Sequence, residues 1–515
     1  MRTVCRRGRW FPVFVSALLC FAAARADEPI VRTAEGQLRG AQLQDPAVYV
    51  FKGIHYGRST EGAARFKPST RVPRWSAVKD ALKFGPVCPQ AGEPGRRTTT
   101  AGEQLPISED CLVLNVWTPS IEAGGNRPVM VWLHGRGFYA GAGSEPLYDG
   151  ARLARRGDAV VVTINHRLNV FGYLHLVHLG GKQFASSGNV GVQDMQLALE
   201  WVRDNIAAFG GNPQNVTIFG ESGGGVKVST LLGVPAAKGL FHRAIIQSGA
   251  RTRGMPAKTA LSNAQTVMAK LGVTSTADLQ AVPMEKLLAA VTTTGRTDPE
   301  FGPVVDETYL PRDMFEPVAA ATARGIPIMV GSNKDEHAIY AREHPLMGKM
   351  TAAQLREDLL PSFGENTDAL IAAYEESRPE ATPWDLMVAI RSNRFHIGTI
   401  RLAEAAAKVA PVYVYSFDFE ASPLKAAHGS EIAFVFSNAT TSKDARQGAK
   451  AVEDAMSEAW IAFARTGNPN HQGLPSWPTY DAQNRATMVF DTKSMVVNDL
   501  RAPERKVWEG KELVR

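Results

Sequence analysis

Apolar positions along this chain fall into two kinds of run. Residues 128–133 (Pro-Val-Met-Val-Trp-Leu) and 159–164 (Ala-Val-Val-Val-Thr-Ile) are almost unbroken apolar stretches. Strands covered on both faces have this pattern. Residues 216–219 (Val-Thr-Ile-Phe) share the composition of a buried strand. Between 192 and 209 the apolar residues recur at helical spacing, and Gly210, Gly211, Asn212 and Pro213 break that helix before the next strand. Further strands are expected at 327–330 and 411–417. This alternation predicts an α/β fold with a mainly parallel central sheet and helices on both faces. The long stretch between about 250 and 430 is expected to fold over the sheet as a helical lid or wall. No Pro/Ser linker, low-complexity tract or repeat divides 27–515, so one domain is expected there.

The N-terminus departs from this pattern. Arg2, Arg6, Arg7 and Arg9 precede an apolar stretch from Trp10 to Ala24, which ends in Ala24-Arg25-Ala26. Such a layout predicts a secretory signal peptide over 1–26, cleaved after Ala26; an N-terminal membrane anchor is the alternative. The signal changes the charge picture. The formal net charge of +6 rests largely on the five arginines of residues 1–26, which contain no acid. The mature chain is close to neutral and offers no basic surface for nucleic acid. Cys5 and Cys20 leave with the signal, and Cys88 and Cys111 remain. An even pair in an exported protein reads as a disulfide, against two separate buried thiols. There is no C-x-x-C pair and no H-E-x-x-H, so the sequence predicts no metal site.

Candidate chemistry starts at residues 220–224, Gly-Glu-Ser-Gly-Gly, directly after the 216–219 strand. G-x-S-x-G between a strand and a helix is the nucleophile elbow of α/β-hydrolases. Glycine is needed because the tight turn strains the backbone and brings neighbouring chains close. Ser222 is the candidate nucleophile, and an ordinary Gly-rich turn is the alternative. His134-Gly135-Arg136-Gly137-Phe138 follows the 128–133 strand. A loop of this type supplies backbone N–H groups to an oxyanion hole, with the amides of Arg136, Gly137 and Gly223 as the expected donors. A serine also needs a base, oriented by an acid. Residues 330–336 (Val-Gly-Ser-Asn-Lys-Asp-Glu) and 428–434 (His-Gly-Ser-Glu-Ile-Ala-Phe) offer an acid and a histidine in the required chain order. Spacing alone does not select them among eleven histidines and many acids.

The wider sequence resembles the type-B carboxylesterases, the group that includes the cholinesterases. The resemblance runs through Phe51-Lys52-Gly53-Ile54, Ser108-Glu109-Asp110-Cys111-Leu112 and Asn165-His166-Arg167-Leu168. It continues in Phe209-Gly210-Gly211-Asn212-Pro213 and ends in Phe463-Ala464-Arg465-Thr466-Gly467-Asn468-Pro469. The resemblance implies Glu336 as the acid and His428 as the base, with Asp335 the residual alternative acid. It implies that Ser248 supports the acid, that Cys88 and Cys111 form the family's first disulfide, and that Arg65 and Glu109 pair beside it.

Several positions depart from the family. Arg136 stands where a glycine is usual, and a glycine-only conformation there would distort the hole. His337 follows the acid in place of glycine. Gly223 replaces the usual alanine, a change expected to be mild because the N–H remains. Lys227, five residues past Ser222, is expected to need a carboxylate partner or a route to solvent. The cholinesterase subgroup binds quaternary ammonium through a tryptophan in the first disulfide loop. Residues 89–110 contain no Trp, Tyr or Phe, which argues against that substrate.

Together these readings predict an exported, cofactor-free serine carboxylesterase. It would hydrolyse small-molecule esters through an acyl-enzyme, with no nucleic-acid partner and no membrane span in the mature chain. A catalytically inactive ligand-binding or adhesion protein of the same fold is the rival from another class. An amidase or lactonase would use the same residues.

Overall fold

The computed structural model describes residues 28–91, 96–98, 102–293, 296–441 and 445–513. The segment read as a signal peptide, with Cys5 and Cys20, lies outside the described residues. The centre of the fold is an eleven-stranded sheet. In chain order its strands are β1 (Ala41–Gln44), β2 (Ala47–His55), β3 (Val113–Thr118), β4 (Arg127–Leu133), β5 (Val160–Ile164) and β6 (Gly211–Glu221). They continue with β7 (Arg243–Gln247), β8 (Ile328–Asn333), β9 (Val412–Phe417), β10 (Ala486–Phe490) and β11 (Met495–Asn498). The spatial order is β11-β10-β9-β8-β7-β6-β4-β5-β3-β2-β1. All neighbours from β5 through β10 run parallel. Antiparallel pairs are confined to the two edges.

Side-chain alternation divides each central strand between two cores. Val129, Val131 and Leu133 of β4 join Val216 and Ile218 of β6 in one cluster, under the helix Val190–Asn205. Met130 and Trp132 of β4 join Phe219 of β6 in the other, under the helix Ala449–Thr466. Apolar residues at every position of these strands are therefore explained by helices on both faces. The predicted helix begins at Val190 and passes into a 3₁₀ turn that ends at Phe209. Gly210, at φ 75°, ends that turn. Gly211, Asn212 and Pro213, expected only to break the helix, already belong to β6.

The region 250–430 contributes a helical cover. Helices Ala352–Phe363, Thr367–Ser377 and Pro383–Arg391 share their own apolar core, in which Leu355, Leu359, Leu370, Tyr374 and Trp384 meet Trp508 near the C-terminus. Two of these helices start with capping boxes, Thr351 with Gln354 and Thr382 with Asp385. Each box satisfies backbone N–H groups that a helix start leaves open. The next helix, Asn393–Ala406, packs against β8 and β9. Cys88 and Cys111 are joined in a disulfide, and Arg65 forms a buried ion pair with Glu109 nearby. No helix among the described residues is long and apolar enough to cross a membrane.

Candidate active site

Ser222 sits where β6 turns into the helix Gly223–Leu231. Its backbone has φ 55° and ψ −122°, a conformation a non-glycine residue rarely adopts. Such strain costs on the order of 1–3 kcal/mol and needs support from its surroundings. The support is local: Ser222 N donates to Gln247 O at 2.8 Å and Val226 N donates to Ser222 O at 3.0 Å. Gly224 has no room for a side chain, because a Cβ there would lie 2.0 Å from the Leu133 carbonyl oxygen.

His428 and Glu336 come from two other strand ends. Glu336 follows β8, and His428 lies in the segment after β9. His428 Nδ1 is 2.5 Å from Glu336 Oε2. Glu336 Oε1 accepts from the Ser248 hydroxyl at 2.5 Å and from Asn333 N at 2.8 Å. Ser248 thus stands where the resemblance placed it. Asp335, the alternative acid, instead exchanges backbone and side-chain hydrogen bonds with Ala426. Asn333 Nδ2 ties the histidine segment down by donating to Ala427 O at 2.7 Å. The outer nitrogen of His428, Nε2, is buried without a hydrogen bond and lies 3.1 Å from Glu221 Oε1.

Three buried carboxylates set the charge of this site. Burial alone would raise Glu336, but His428, with its charge and hydrogen bond, holds it below the usual range. Burial pushes Glu221 up to about 8; His428 opposes that, and Glu431 and Glu336 add to it. For His428 burial works downward, yet Glu221 and Glu336 outweigh it and lift the imidazole to about 9. Glu431 is also raised by burial, and it accepts hydrogen bonds from Gln247 at 3.1 Å and Asn333 at 2.6 Å. The cause is physical: desolvation disfavours each separate charge, while opposite charges in contact favour one another.

The expected oxyanion loop lies against the elbow. A Cβ added to Gly223 would come within 2.4–2.5 Å of the O, Cα and N of Gly137. The glycine at 223 is therefore not a mild exchange for alanine: it is what lets this loop approach so closely. Among the described residues, the amides of Arg136, Gly137 and Gly223 donate to no protein acceptor. Arg136 takes up φ 62° and its side chain is exposed.

Lys227 departs from expectation. It is fully buried and has neither a carboxylate partner among the described residues nor contact with solvent. Its Nζ donates to His134 O at 2.7 Å and lies 5.4 Å from the Phe138 ring centre. Burial drives its pKa well below the ordinary lysine value, toward the neutral amine. No ion pair forms, because the partner is the backbone carbonyl just before the oxyanion loop.

Other groups at the site went unread in the sequence. Glu221 and Glu431 sit inside the motifs around Ser222 and His428, and their closeness to the imidazole was the missed signal. Tyr340 and Phe395 pack on the His428 ring, at 5.5 and 4.8 Å between ring centres. They arrive from the cover, and no local pattern in the sequence marks them. His337 is largely buried and lowered to about 4, mainly by burial. It therefore stays neutral near pH 7. No cluster of His, Cys, Asp and Glu among the described residues could hold a metal ion.

A mainly parallel sheet carrying an elbow serine, with a histidine and an acid on neighbouring strand ends, defines an α/β-hydrolase that acts on ester bonds through a serine. The chain belongs to the carboxylesterase family, whose description "Carboxylesterase family" matches residues 27–508. It is 36% identical to the para-nitrobenzyl esterase of Bacillus subtilis, over 93% of this chain and 98% of that protein. It is 35% identical to the phenmedipham hydrolase of Pseudarthrobacter oxydans, over 92% of this chain and 98% of that one. Among solved structures it superposes on a Geobacillus stearothermophilus carboxylesterase with a TM-score of 0.81 at 39% identity, covering 93% of this chain and 99% of that one.

Proposed function

We propose that the protein is an exported carboxylesterase that works through an acyl-enzyme on Ser222. The domain spans 27–515 after cleavage behind Ala26. The Ser222 hydroxyl attacks the ester carbonyl and passes its proton to His428 Nε2. The tetrahedral oxyanion is held by the amides of Arg136, Gly137 and Gly223. The alcohol leaves with the proton from His428, and water then frees the acyl group by the same route. Glu336 fixes the imidazole through Nδ1 and balances its charged form. One observation carries this reading: His428 is held by Glu336 at 2.5 Å while its other nitrogen is buried and free of hydrogen bonds. A base oriented in this way can take a proton from a nucleophile.

The test is covalent labelling. A fluorophosphonate probe should attach to Ser222, and Ser222→Ala should lower ester turnover by several orders of magnitude without changing the fold. An adduct mapped to another serine would overturn the assignment.

A further inference from the structure

Two arginines at this site have no acidic partner. Arg394 is half-buried at the start of the helix Asn393–Ala406. Its guanidinium carbon lies 4.6 Å from the Phe395 ring centre and 5.6 Å from that of Tyr340. Both rings also pack on His428. The cation is therefore pinned one ring away from the imidazole. No carboxylate of the described residues lies within ion-pair distance of it.

Half-buried Arg243 and Arg401 also lack a carboxylate, but they donate to Asn215 and to the backbone carbonyls of Trp508 and Lys511. Arg391, three residues before Arg394, grips Asp358. The buried or largely buried Arg65, Arg167, Arg378 and Arg501 each hold a carboxylate as well. Arg136 is a second such arginine at this site. It stands in the oxyanion loop, exposed, with no acidic partner among the described residues. It also adopts a left-handed φ that glycine would take without strain.

The nearby acids do not use up this positive charge. Glu336 is engaged by His428 and Ser248. Glu221 faces His428, its Oε1 3.1 Å from Nε2. Glu431 is satisfied by Gln247 and Asn333. His337, on the far side of Tyr340, stays neutral. Neither cation forms an ion pair with an acid of the described residues, so the charge of each is open to an anionic group of the substrate. A stacked guanidinium keeps its N–H edge free, and that planar edge matches a carboxylate through two parallel hydrogen bonds.

We propose that the site selects esters that carry a carboxylate, with Arg394 as its main receptor and Arg136 as a second cation at the oxyanion loop. The proposal rests on Ser222 being the esterase nucleophile. Half-esters of dicarboxylic acids are the simplest members of the class.

Two matched pairs of esters test it. Mono-(4-nitrophenyl) glutarate against 4-nitrophenyl pentanoate places the charge on the acyl side. 4-Acetoxybenzoate against its methyl ester places it on the alcohol side. The wild type should favour the anionic member of at least one pair in kcat/KM, and the responding pair identifies the side. Arg394→Gln should cut that anionic-to-neutral ratio about tenfold or more, the size of a lost charge-assisted hydrogen bond. Arg136→Gly, which relieves backbone strain and so folds, should lower the same ratio by a smaller factor. Raising the salt concentration should shrink the wild-type preference. If neither pair shows an anionic preference, or both variants leave the ratio intact, the proposal is overturned while the esterase reading stands. If the wild type hydrolyses none of the four esters, the esterase reading itself falls.

Discussion

At the scale of single residues, the governing fact is how His428 is charged. Two carboxylates lift it to about 9, although burial works the other way. Only the neutral imidazole can take the serine proton. The ascending limb of kcat/KM against pH should therefore lie above the ordinary imidazole range, displaced toward 9. Glu221→Gln removes a negative charge 3.1 Å from Nε2. It should move the midpoint down by about one pH unit or more. A midpoint that stays put would show that Glu221 does not set the base. Ser222, His134–Phe138 and the loop glycines were readable in the sequence because their chemistry needs them at fixed local spacing. Arg394, Tyr340 and Phe395 were not, since they meet His428 only through long-range packing. The state of Glu221 was hidden for another reason: its shift comes from burial, which no local pattern records.

At the scale of elements, β6, the elbow and the helix Gly223–Leu231 act with the end of β4 as one unit. Lys227 joins them through its hydrogen bond to His134 O. Its role could not be read from the chain, because its partner is a backbone carbonyl distant in sequence. The buried amine also has a consequence for stability. Its folded pKa lies below the unfolded value of 10.5. The unfolded chain thus binds a proton that the folded one resists, and stability falls as pH drops through that window. Lys227→Met should melt at a higher temperature than the wild type near pH 7, and the gap should narrow as pH approaches 10.5. The same variant should lower kcat about tenfold, since the oxyanion loop loses an anchor. Thermal melts across pH, with ester kinetics, would check both halves. An unchanged kcat would mean that the hydrogen bond does not position the loop.

At the scale of the whole molecule, the sheet was the most readable part. Buried parallel strands carry apolar residues on both faces, so the runs at 128–133, 159–164, 327–330 and 411–417 all mark real strands. The edge strands are short and half-polar, and their place in the order depends on long-range pairing. The disulfide belongs at this scale because it ties Cys88 to Cys111, just before β3, within the main apolar core. Its loop of 23 residues should contribute about 3 kcal/mol by chain entropy. The double variant Cys88→Ala/Cys111→Ala should lose stability of that order in denaturant titration. The unreduced mature wild type should titrate no free thiol after denaturation. Two titratable thiols would mean the bridge does not form in the protein as made.

The order of the sheet also bears on how the molecule is made. Synthesis runs from the N-terminus, and β6 with Ser222 emerges long before β8, β9 and the segment holding His428. The strands that close one edge, β10 and β11, come later still. A ribosome-bound chain can already contain the serine, yet it has neither the imidazole nor its acid. In the reading proposed above, a chain that ends before β8 would hold the nucleophile without its acid or its base, so it would hydrolyse no ester.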